Sequence, residues 1–231
     1  MKYLHYFMGI LCAFCLMIIF LITSVEAVAY WTPGYYDSEY SKYGVADTVL
    51  MEQEDLLMVT EEMMAYLRGD RADLHVPTVV NGVPREFFNE REMAHMADVQ
   101  GLFLAAIMLR RICAGLAVLC IAVLIFTKAA LRRLLPRTFC MGTLLFFGVT
   151  AALTALISTD FTKYFILFHK MFFHNDLWIL NPATDLLINI VPEPFFMDTA
   201  LRIAITFAVM TALLFFGSLF VLIYDRKRKI S

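Results

Sequence analysis

Long apolar runs separated by polar segments dominate the pattern of this 231-residue chain. Four of the runs are long enough for a helix to cross a hydrocarbon core about 30 Å thick. They comprise residues 6–29, 102–126, 139–157 and 200–224. The polar segments between and after them comprise residues 30–101, 127–138, 158–199 and 225–231. The pattern predicts a single membrane domain, residues 1–231, of an all-α polytopic protein with four transmembrane helices.

The positions of the basic residues predict how these helices are oriented. Nine of the 19 Lys and Arg residues lie before the first run, in the short second segment or after the last run: Lys2, Lys128, Arg132, Arg133, Arg137, Arg226, Lys227, Arg228 and Lys229. Only one carboxylate, Asp225, accompanies them. Because cytoplasmic loops are enriched in Lys and Arg, both termini are predicted to be cytoplasmic and both long segments extracellular.

A cleaved signal peptide is the alternative interpretation of the first apolar run. Ala27-Val28-Ala29 has the small-x-small form of a signal-peptidase site. We favour a retained helix, because a single Lys precedes the run and the run exceeds the usual length of about 7–15 residues.

The first long segment, residues 30–101, is predicted to form a small extracellular cap. Apolar and acidic residues alternate over residues 47–67 as in an amphipathic helix, and Gly69 supplies its C-terminal stop. Asn81-Gly82 between valines predicts a hairpin turn. A second helix is predicted to start at Glu86 and to continue into the second span.

The second long segment, residues 158–199, is unusually rich in aromatic residues. Between residues 161 and 178 they are Phe161, Tyr164, Phe165, Phe168, Phe172, Phe173 and Trp178, a much denser set than the 14% of the whole chain. One interpretation is a structure that rests on the bilayer surface, where aromatic belts form. The other is a confined apolar pocket for acyl chains.

Composition narrows the class of protein further. The chain is 61% hydrophobic and 17% charged, with a mean hydropathy of +0.71, whereas soluble domains average about 45–50% apolar and about 25% charged residues. An ordinary soluble enzyme is therefore excluded. A net charge of −2 provides no basic surface for nucleic acid, so the predicted partner is membrane lipid.

The residues of the spans suggest structural roles only. All five cysteines lie in or beside the apolar runs, so no disulfide framework is predicted in the long segments. We interpret Cys12-x-x-Cys15 as two small lipid-facing residues. His5 is predicted to contact lipid headgroups, and Arg110-Arg111 to snorkel towards them. Few small-residue pairs that would specify helix contacts are evident.

Two histidines are the candidates for chemistry, since the sequence has no glycine-rich phosphate loop and no Gly-x-Ser-x-Gly elbow. His95 has Glu92 at i−3 and Asp98 at i+3, and either carboxylate could orient its ring on a helix. His169 stands in the aromatic segment next to Phe168, where apolar surroundings favour a neutral imidazole. Exposed or packed structural histidines are the alternative interpretation of both.

The two histidine motifs, His95 with Asp98-Val99 and Phe168 to Phe173 followed by Asn175 to Trp178, resemble those of the bacterial lipoprotein intramolecular transacylases. Residues 185–192 and Phe195-Phe196 extend the resemblance over nearly the whole chain. It implies a four-helix enzyme of the bacterial plasma membrane, with its site at the extracellular face between cap and membrane. The family moves the sn-2 acyl chain of a diacylglyceryl-modified lipoprotein onto the amino group of that protein's N-terminal cysteine, which gives a lyso-form lipoprotein.

The resemblance also implies roles for individual residues. The catalytic residues are expected to be His95 and His169, with no metal and no cofactor. The orienting or substrate-binding residues are expected to be Glu92, Asp98, Phe168, Phe172, Asn175, Asp176 and Trp178. Which histidine is the base and which the acid stays open, as does a role for the nearby His174.

Two other functions compete with this one. Glu61-Glu62 and Phe165-x-x-x-His169 mimic two motifs of prenyl-protein endopeptidases, but Tyr66 stands where that family needs Arg, and Glu61-Glu62 lies outside the spans. A non-catalytic membrane adaptor whose cap binds a partner is the second alternative. From the residues alone, without the family resemblance, an enzyme and an adaptor are about equally supported.

Overall fold

The computed structural model describes residues 1–228, so Lys229, one of the nine orienting cations, lies outside the described residues. The described residues form nine helices and one two-stranded antiparallel sheet. The helices are α1 (Lys2–Tyr30), α2 (Tyr35–Tyr43), α3 (Val45–Val49), α4 (Gln53–Arg68), α5 (Glu90–Phe126), α6 (Leu131–Ile157), α7 (Phe161–Phe172), α8 (Leu187–Ile190) and α9 (Glu193–Lys227). The strands are β1 (Pro77–Val80) and β2 (Val83–Glu86).

Four helices are long and apolar enough to cross a membrane: α1, α5, α6 and α9. Each contains one of the four predicted spans, and their lengths are 29, 37, 27 and 35 residues. The prediction of a four-helix, nearly all-α membrane protein is confirmed.

The chain divides into two compact units. Within the described residues, the span unit comprises Met1–Glu26, Ile107–Thr159 and residues 202–228, and the loop unit comprises Ala27–Ala106 and Asp160–Leu201. The two long segments predicted as separate extracellular loops therefore fold together into one body. Helices α1, α5 and α9 each contribute residues to both units.

Close contacts between helices organise the span unit. A Cβ added at Gly142 of α6 would lie 2.9 Å from Cβ of Ala13 on α1, and one at Gly9 would lie 2.9 Å from Cγ2 of Thr138. These small residues let α1 and α6 approach closely. The sequence pattern did not reveal these pairs, because each joins residues from two different spans.

Four of the five cysteines of the span unit are buried. Cys12 and Cys15 of α1 pack against Cys113 and Cys120 of α5, and all four are nearly inaccessible. The interpretation of Cys12 and Cys15 as lipid-facing is therefore wrong. Helix contact provides the reason, because α1 presents this face to α5 and the small thiols fit between the helices.

Arg110 of α5 forms an ion pair with Glu26 of α1. An arginine in an apolar helix needs such a counter-charge where water is scarce. The expectation that Arg110 reaches headgroups as a free cation is corrected by this contact.

The start of the loop unit differs from the predicted helix 47–67. Helix α3 ends at Val49, Leu50 adopts a left-handed conformation with φ 56°, and α4 begins at Gln53. The carbonyl oxygen of Leu50 accepts a hydrogen bond of 2.8 Å from the backbone N–H of Asn81. The interruption thus ties the helices to the hairpin, a long-range contact that periodicity does not report.

The local stop and turn signals are confirmed. Gly69 caps α4 with φ 83°, and its N–H donates to the carbonyls of Ala65 and Tyr66. Asn81 and Gly82, with φ 51° and 73°, form the turn between β1 and β2, as a hairpin turn with two positive φ angles requires.

The helix predicted from Glu86 begins instead at Glu90. Glu86 pairs with Pro77 in the hairpin, and Phe87 and Phe88 are buried. The Asn89 side chain accepts from the Glu92 N–H at 3.0 Å, while the Glu92 carboxylate accepts from the Asn89 N–H at 2.7 Å. This reciprocal capping box sets the start of α5.

Candidate active site

The loop unit brings His95 and His169 together. His95 lies in the second turn of α5 and His169 in the last turn of α7, and the centroids of their rings are 6.2 Å apart. Both residues are buried, with 7% and 8% of their surfaces exposed. A histidine pair enclosed in this way is a candidate centre for proton transfer.

One hydrogen bond determines the tautomer of His169. Its Nδ1 lies 2.8 Å from the carbonyl oxygen of Phe165. A carbonyl only accepts, so Nδ1 carries the proton and donates it. The lone pair of the neutral ring therefore belongs to Nε2, which makes Nε2 the atom that can accept a proton.

Aromatic rings surround His169. The nearest ring centroids are those of Phe165 at 4.1 Å, Trp178 at 4.9 Å, Phe173 at 5.4 Å and Phe168 at 5.5 Å. Burial among these rings lowers the pKa of His169 below its ordinary value, although the hydrogen bond to the Phe165 carbonyl opposes the shift. The ring is thus kept neutral at neutral pH, and its Nε2 is free to accept a proton.

The ring of His95 is held by packing. It contacts Phe173 edge to face at a centroid distance of 5.4 Å. Its Nδ1 is buried and has no hydrogen-bond partner within residues 1–228. The expected orientation of this ring by a hydrogen bond to Glu92 or Asp98 is not present, because both carboxylates bond to distant segments instead.

Glu92 connects α5 to the first residue of α8. Its Oε1 accepts from the Leu187 N–H at 2.6 Å, and its Oε2 accepts from the Asn89 N–H. Only 1% of the residue is exposed. The carboxylate therefore sits one turn before His95 and supports the backbone of that turn.

Asp185 completes this network. Its carboxylate accepts from the Asn181 N–H at 2.7 Å and from the Asn89 side-chain amide at 2.9 Å. Burial alone would raise the pKa of Asp185, but these donors and the Thr184 hydroxyl outweigh it and hold the pKa below its usual value. Asp185 thus acts as an ionised anchor, consistent with its place in the family resemblance.

Asp98 and Asp176 have structural partners as well. The Asn175 side chain donates to Oδ2 of Asp98 at 2.8 Å, and its Oδ1 accepts from the Leu177 N–H at 3.1 Å. The guanidinium of Arg91 donates to the backbone carbonyl of Asp176. These bonds tie the segment that carries Trp178 to α5.

The remaining candidate residues differ in exposure. Phe168 and Phe172 contact each other at a centroid distance of 4.7 Å and are each 44% exposed, so they offer an apolar surface beside the site. His174 is exposed. Its side chain differs in this respect from the two buried histidines.

Sequence reasoning assigned no individual role to three contributors. Phe165 and Phe173 were identified only as members of the aromatic segment, although the i−4 spacing of Phe165 to His169 predicts their contact. The ring of Phe173 contacts both histidines, and Asn89 bonds to both Glu92 and Asp185. Neither contact has a local signal, because each depends on segments far apart in the chain.

The residues that resemble prenyl-protein endopeptidase motifs do not form a metal centre in the described part of the chain. Glu62 of α4 forms an ion pair with Arg71. Across residues 1–228 no group of three or more His, Cys, Asp or Glu side chains could hold a metal ion.

Comparison with solved structures identifies proteins with the same fold. The chain is similar to the membrane-integral lipoprotein intramolecular transacylase Lit from Bacillus cereus, at 21% sequence identity with a TM-score of 0.83, covering 100% of both chains. Two variants of that protein, with one histidine replaced by arginine or by alanine, match at 21% identity and a TM-score of 0.79. They cover 98% and 100% of this chain, and 96% and 97% of those chains.

The sequence comparisons give two results. No curated protein matches the sequence significantly. The family model described as lipoprotein intramolecular transacylase Lit matches residues 10–196, which is most of the chain and includes both histidines. The chain therefore belongs to the lipoprotein intramolecular transacylases, a family of membrane-integral acyltransferases.

Proposed function

We propose that this enzyme transfers the sn-2 acyl chain of a diacylglyceryl-modified bacterial lipoprotein to the α-amino group of the lipoprotein's N-terminal cysteine. The product is a lyso-form lipoprotein, and no metal or cofactor takes part. The observation that carries the proposal is the buried pair of His95 and His169, with ring centroids 6.2 Å apart. Acyl transfer from an ester oxygen to an amine needs one proton removed and one delivered, and two imidazoles can do both.

His169 acts as the general base in this proposal. Its Nε2 has the lone pair, because Nδ1 donates to Phe165, and its lowered pKa keeps the ring neutral. Nε2 takes a proton from the cysteine amine as the nitrogen attacks the ester carbonyl carbon. A C–N bond forms, and the C–O bond to the glycerol sn-2 oxygen then breaks.

His95 acts as the general acid. Burial, and then the neighbouring His169, lower the pKa of His95 to about 4, so its ring is neutral at neutral pH. The N–H proton of His95 therefore passes to the departing sn-2 oxygen as the His169 imidazolium delivers a proton to His95. The oxygen becomes the free hydroxyl of the lyso product, and both rings return to their neutral forms. The net change is one proton moved from nitrogen to oxygen, so no outside acid or base is consumed.

The aromatic surroundings support the chemistry in two ways. The rings packed around His169 exclude water, which would otherwise compete for the acyl group and hydrolyse the ester. The exposed rings of Phe168 and Phe172 provide apolar surface for an acyl chain. Asn175, Asp176 and Trp178 belong to the segment that encloses the site, and Asp98 ties that segment to α5.

The enzyme is proposed to lie in the bacterial plasma membrane with both termini in the cytoplasm and the histidine pair at the extracellular face. The distribution of Lys and Arg supports this orientation. Lipoproteins carry their lipid-modified cysteine at that face, so substrate and site would meet there.

Mass spectrometry of one lipoprotein's N-terminal peptide, from cells with and without the enzyme, tests the proposal. We expect the diacylglyceryl peptide to become an N-acyl, monoacylglyceryl isomer of equal mass, distinguished by fragment ions. His95→Ala and His169→Ala should each reduce conversion by about 10²-fold or more, the usual contribution of one positioned acid or base.

His174→Ala is the matched control, since it removes an exposed histidine five residues beyond His169. It should convert substrate like the unaltered enzyme at equal expression. Full conversion by either buried-histidine variant, or an unchanged peptide in cells that express the enzyme, would contradict the proposal.

A further inference from the structure

A small cavity lies in the span unit where α1 and α6 begin. Its volume is about 180 Å³, and its lining includes Lys2, His5 and Tyr6 of α1 and Arg133, Leu134 and Arg137 of α6. None of these residues belongs to the histidine site, and the transacylase reaction makes no use of them.

The charges around the cavity are uncompensated. Lys2, Arg133 and Arg137 have no carboxylate within ion-pair distance among residues 1–228, whereas the neighbouring Arg132 pairs with Asp225 at 2.7 Å. All three side chains are exposed, so water and salt screen their repulsion, but three like charges around one concave surface favour the binding of an anion there.

One polar atom of the cavity lining has no hydrogen-bond partner. The Nε2 atom of His5 is buried and has no hydrogen-bond partner in the described chain. Both helices present their first turns to the cavity, and the positive ends of their dipoles add to the charge of the side chains.

The walls of the cavity are fixed by helix packing. Gly9 lies against Thr138, and Gly142 against Ala13, at distances that leave no room for a larger side chain. The arginines of α6 are therefore held in register with Lys2 and His5 of α1, and the site is preformed.

We propose that this cavity binds the phosphate group of an anionic glycerophospholipid. A lipid fits better than free phosphate because apolar surface continues from the cavity along α1, where Phe7 and Ile10 are 59% and 51% exposed. Acyl chains can follow this surface while Arg133 and Arg137 hold the phosphate oxygens. Basic sites between membrane helices bind lipid headgroups in this manner.

Native mass spectrometry of the full chain in detergent, titrated with dioleoyl phosphatidylglycerol, tests the inference. The chain should bind one lipid in preference to dioleoyl phosphatidylcholine. The double variant Arg133→Gln/Arg137→Gln should raise the dissociation constant roughly 25-fold, at roughly fivefold per arginine. Arg132→Gln is the matched control and should change it less than about twofold, since that cation already has a partner.

A charge-retaining variant separates binding from folding. Arg133→Lys/Arg137→Lys should keep most of the affinity, and all variants should keep the helical circular dichroism of the unaltered chain. Equal binding of phosphatidylcholine, or an equal loss in Arg132→Gln, would overturn the proposal. Displacement of the lipid by inorganic phosphate at the same molar concentration would assign the site to free phosphate and would also overturn it.

Discussion

The two units use their buried polar side chains in opposite ways. In the span unit, hydroxyl groups bond within their own helix: Ser24 donates to the Phe20 carbonyl, Thr138 to Leu134 and Thr211 to Phe207. In the loop unit, buried carboxylates reach segments far away in the chain, as Glu92 does to Leu187 and Asp185 to Asn89. The buried hydroxyls of the span unit thus bond locally, although its buried Glu26 pairs with Arg110 of another helix. The buried carboxylates of the loop unit bond to distant segments.

The membrane explains the difference. A polar group in hydrocarbon has no water to bond to, so it needs a hydrogen-bond partner within the protein. In a helix, the backbone carbonyl four residues earlier in the chain provides one. The loop unit has irregular segments whose backbone N–H groups need acceptors, and buried carboxylates supply them. Packing of small residues specifies the span unit, and long-range hydrogen bonds specify the histidine site.

The largest effect on stability is expected from Glu92→Ala. The change leaves the backbone N–H groups of Leu187 and Asn89 without their carboxyl acceptor, so the free energy of unfolding should fall by about 3 kcal/mol. Urea unfolding followed by tryptophan fluorescence measures it selectively, because both tryptophans, Trp31 and Trp178, lie in the loop unit. Glu90→Ala, an exposed glutamate in the same turn, is the control and should cost less than about 1 kcal/mol. If both variants lose the same free energy of unfolding, the hydrogen bonds of Glu92 contribute nothing beyond the interaction of a carboxylate with the helix dipole.

A substitution at Gly142 is the corresponding test of the span unit. Gly142→Leu forces atoms into the space occupied by Ala13 and should lower the free energy of unfolding by about 2 kcal/mol. Gly148→Leu on the same helix is the control, since no atom lies within 4 Å of an added Cβ. The loss of helical circular dichroism during SDS titration measures the free energy of unfolding of both variants. If the two variants unfold alike, close packing of α1 and α6 does not stabilise this unit.

The pH dependence of the reaction should show the effect of burial on His169. The attacking α-amine must be unprotonated, so kcat/KM should already fall below about pH 8 as the amine of the substrate takes up a proton. The base must be neutral as well, so kcat/KM should fall by a further factor of about ten per pH unit once the pH drops through the lowered pKa of His169. This second decline should begin below the ordinary pKa of 6.5.

A comparison of variants assigns this decline to burial. Trp178→Ala opens the ring of His169 to water and should move the midpoint up towards 6.5, while His174→Ala should leave it unchanged. A midpoint of the second decline above 6.5 in the unaltered enzyme would contradict the role of burial.

The smallest effect is expected from an exposed contact in the loop unit. Lys42 forms an ion pair with Asp198, but their side chains are 53% and 28% exposed. Exposed pairs contribute little to stability because water screens them. Lys42→Ala should therefore shift the thermal midpoint of unfolding by less than about 2 °C. A larger shift would show that long-range contacts stabilise this unit whether or not they are buried.

Much of the fold could be predicted from local patterns. The apolar runs predicted the four long helices, Gly69 predicted the end of α4, and Asn81-Gly82 predicted the hairpin. The errors were made where a distant segment intervened, at Leu50, which bonds to Asn81, and at Glu86, which pairs with Pro77.

The candidate site shows the same division. His95 and His169 were selected from their motifs, and the structure brings them together. Glu92 and Asp98 were correctly placed on the same helix as His95, yet each bonds elsewhere, to Leu187 and to Asn175. Spacing along a helix shows which side chains can meet, but the energy of burying an N–H group without an acceptor decides which partner each carboxylate takes.

The sequence by itself determined that this protein spans a membrane with four helices and carries the motifs of an acyltransferase family, because hydrophobic length, turn signals and short motifs are local properties. Only the tertiary structure decided that two histidines far apart in the chain share one aromatic enclosure. It also decided that three cations at the start of α1 and α6 surround one cavity. These features depend on packing between distant segments, which minimises exposed apolar surface and unpaired polar groups over the whole chain.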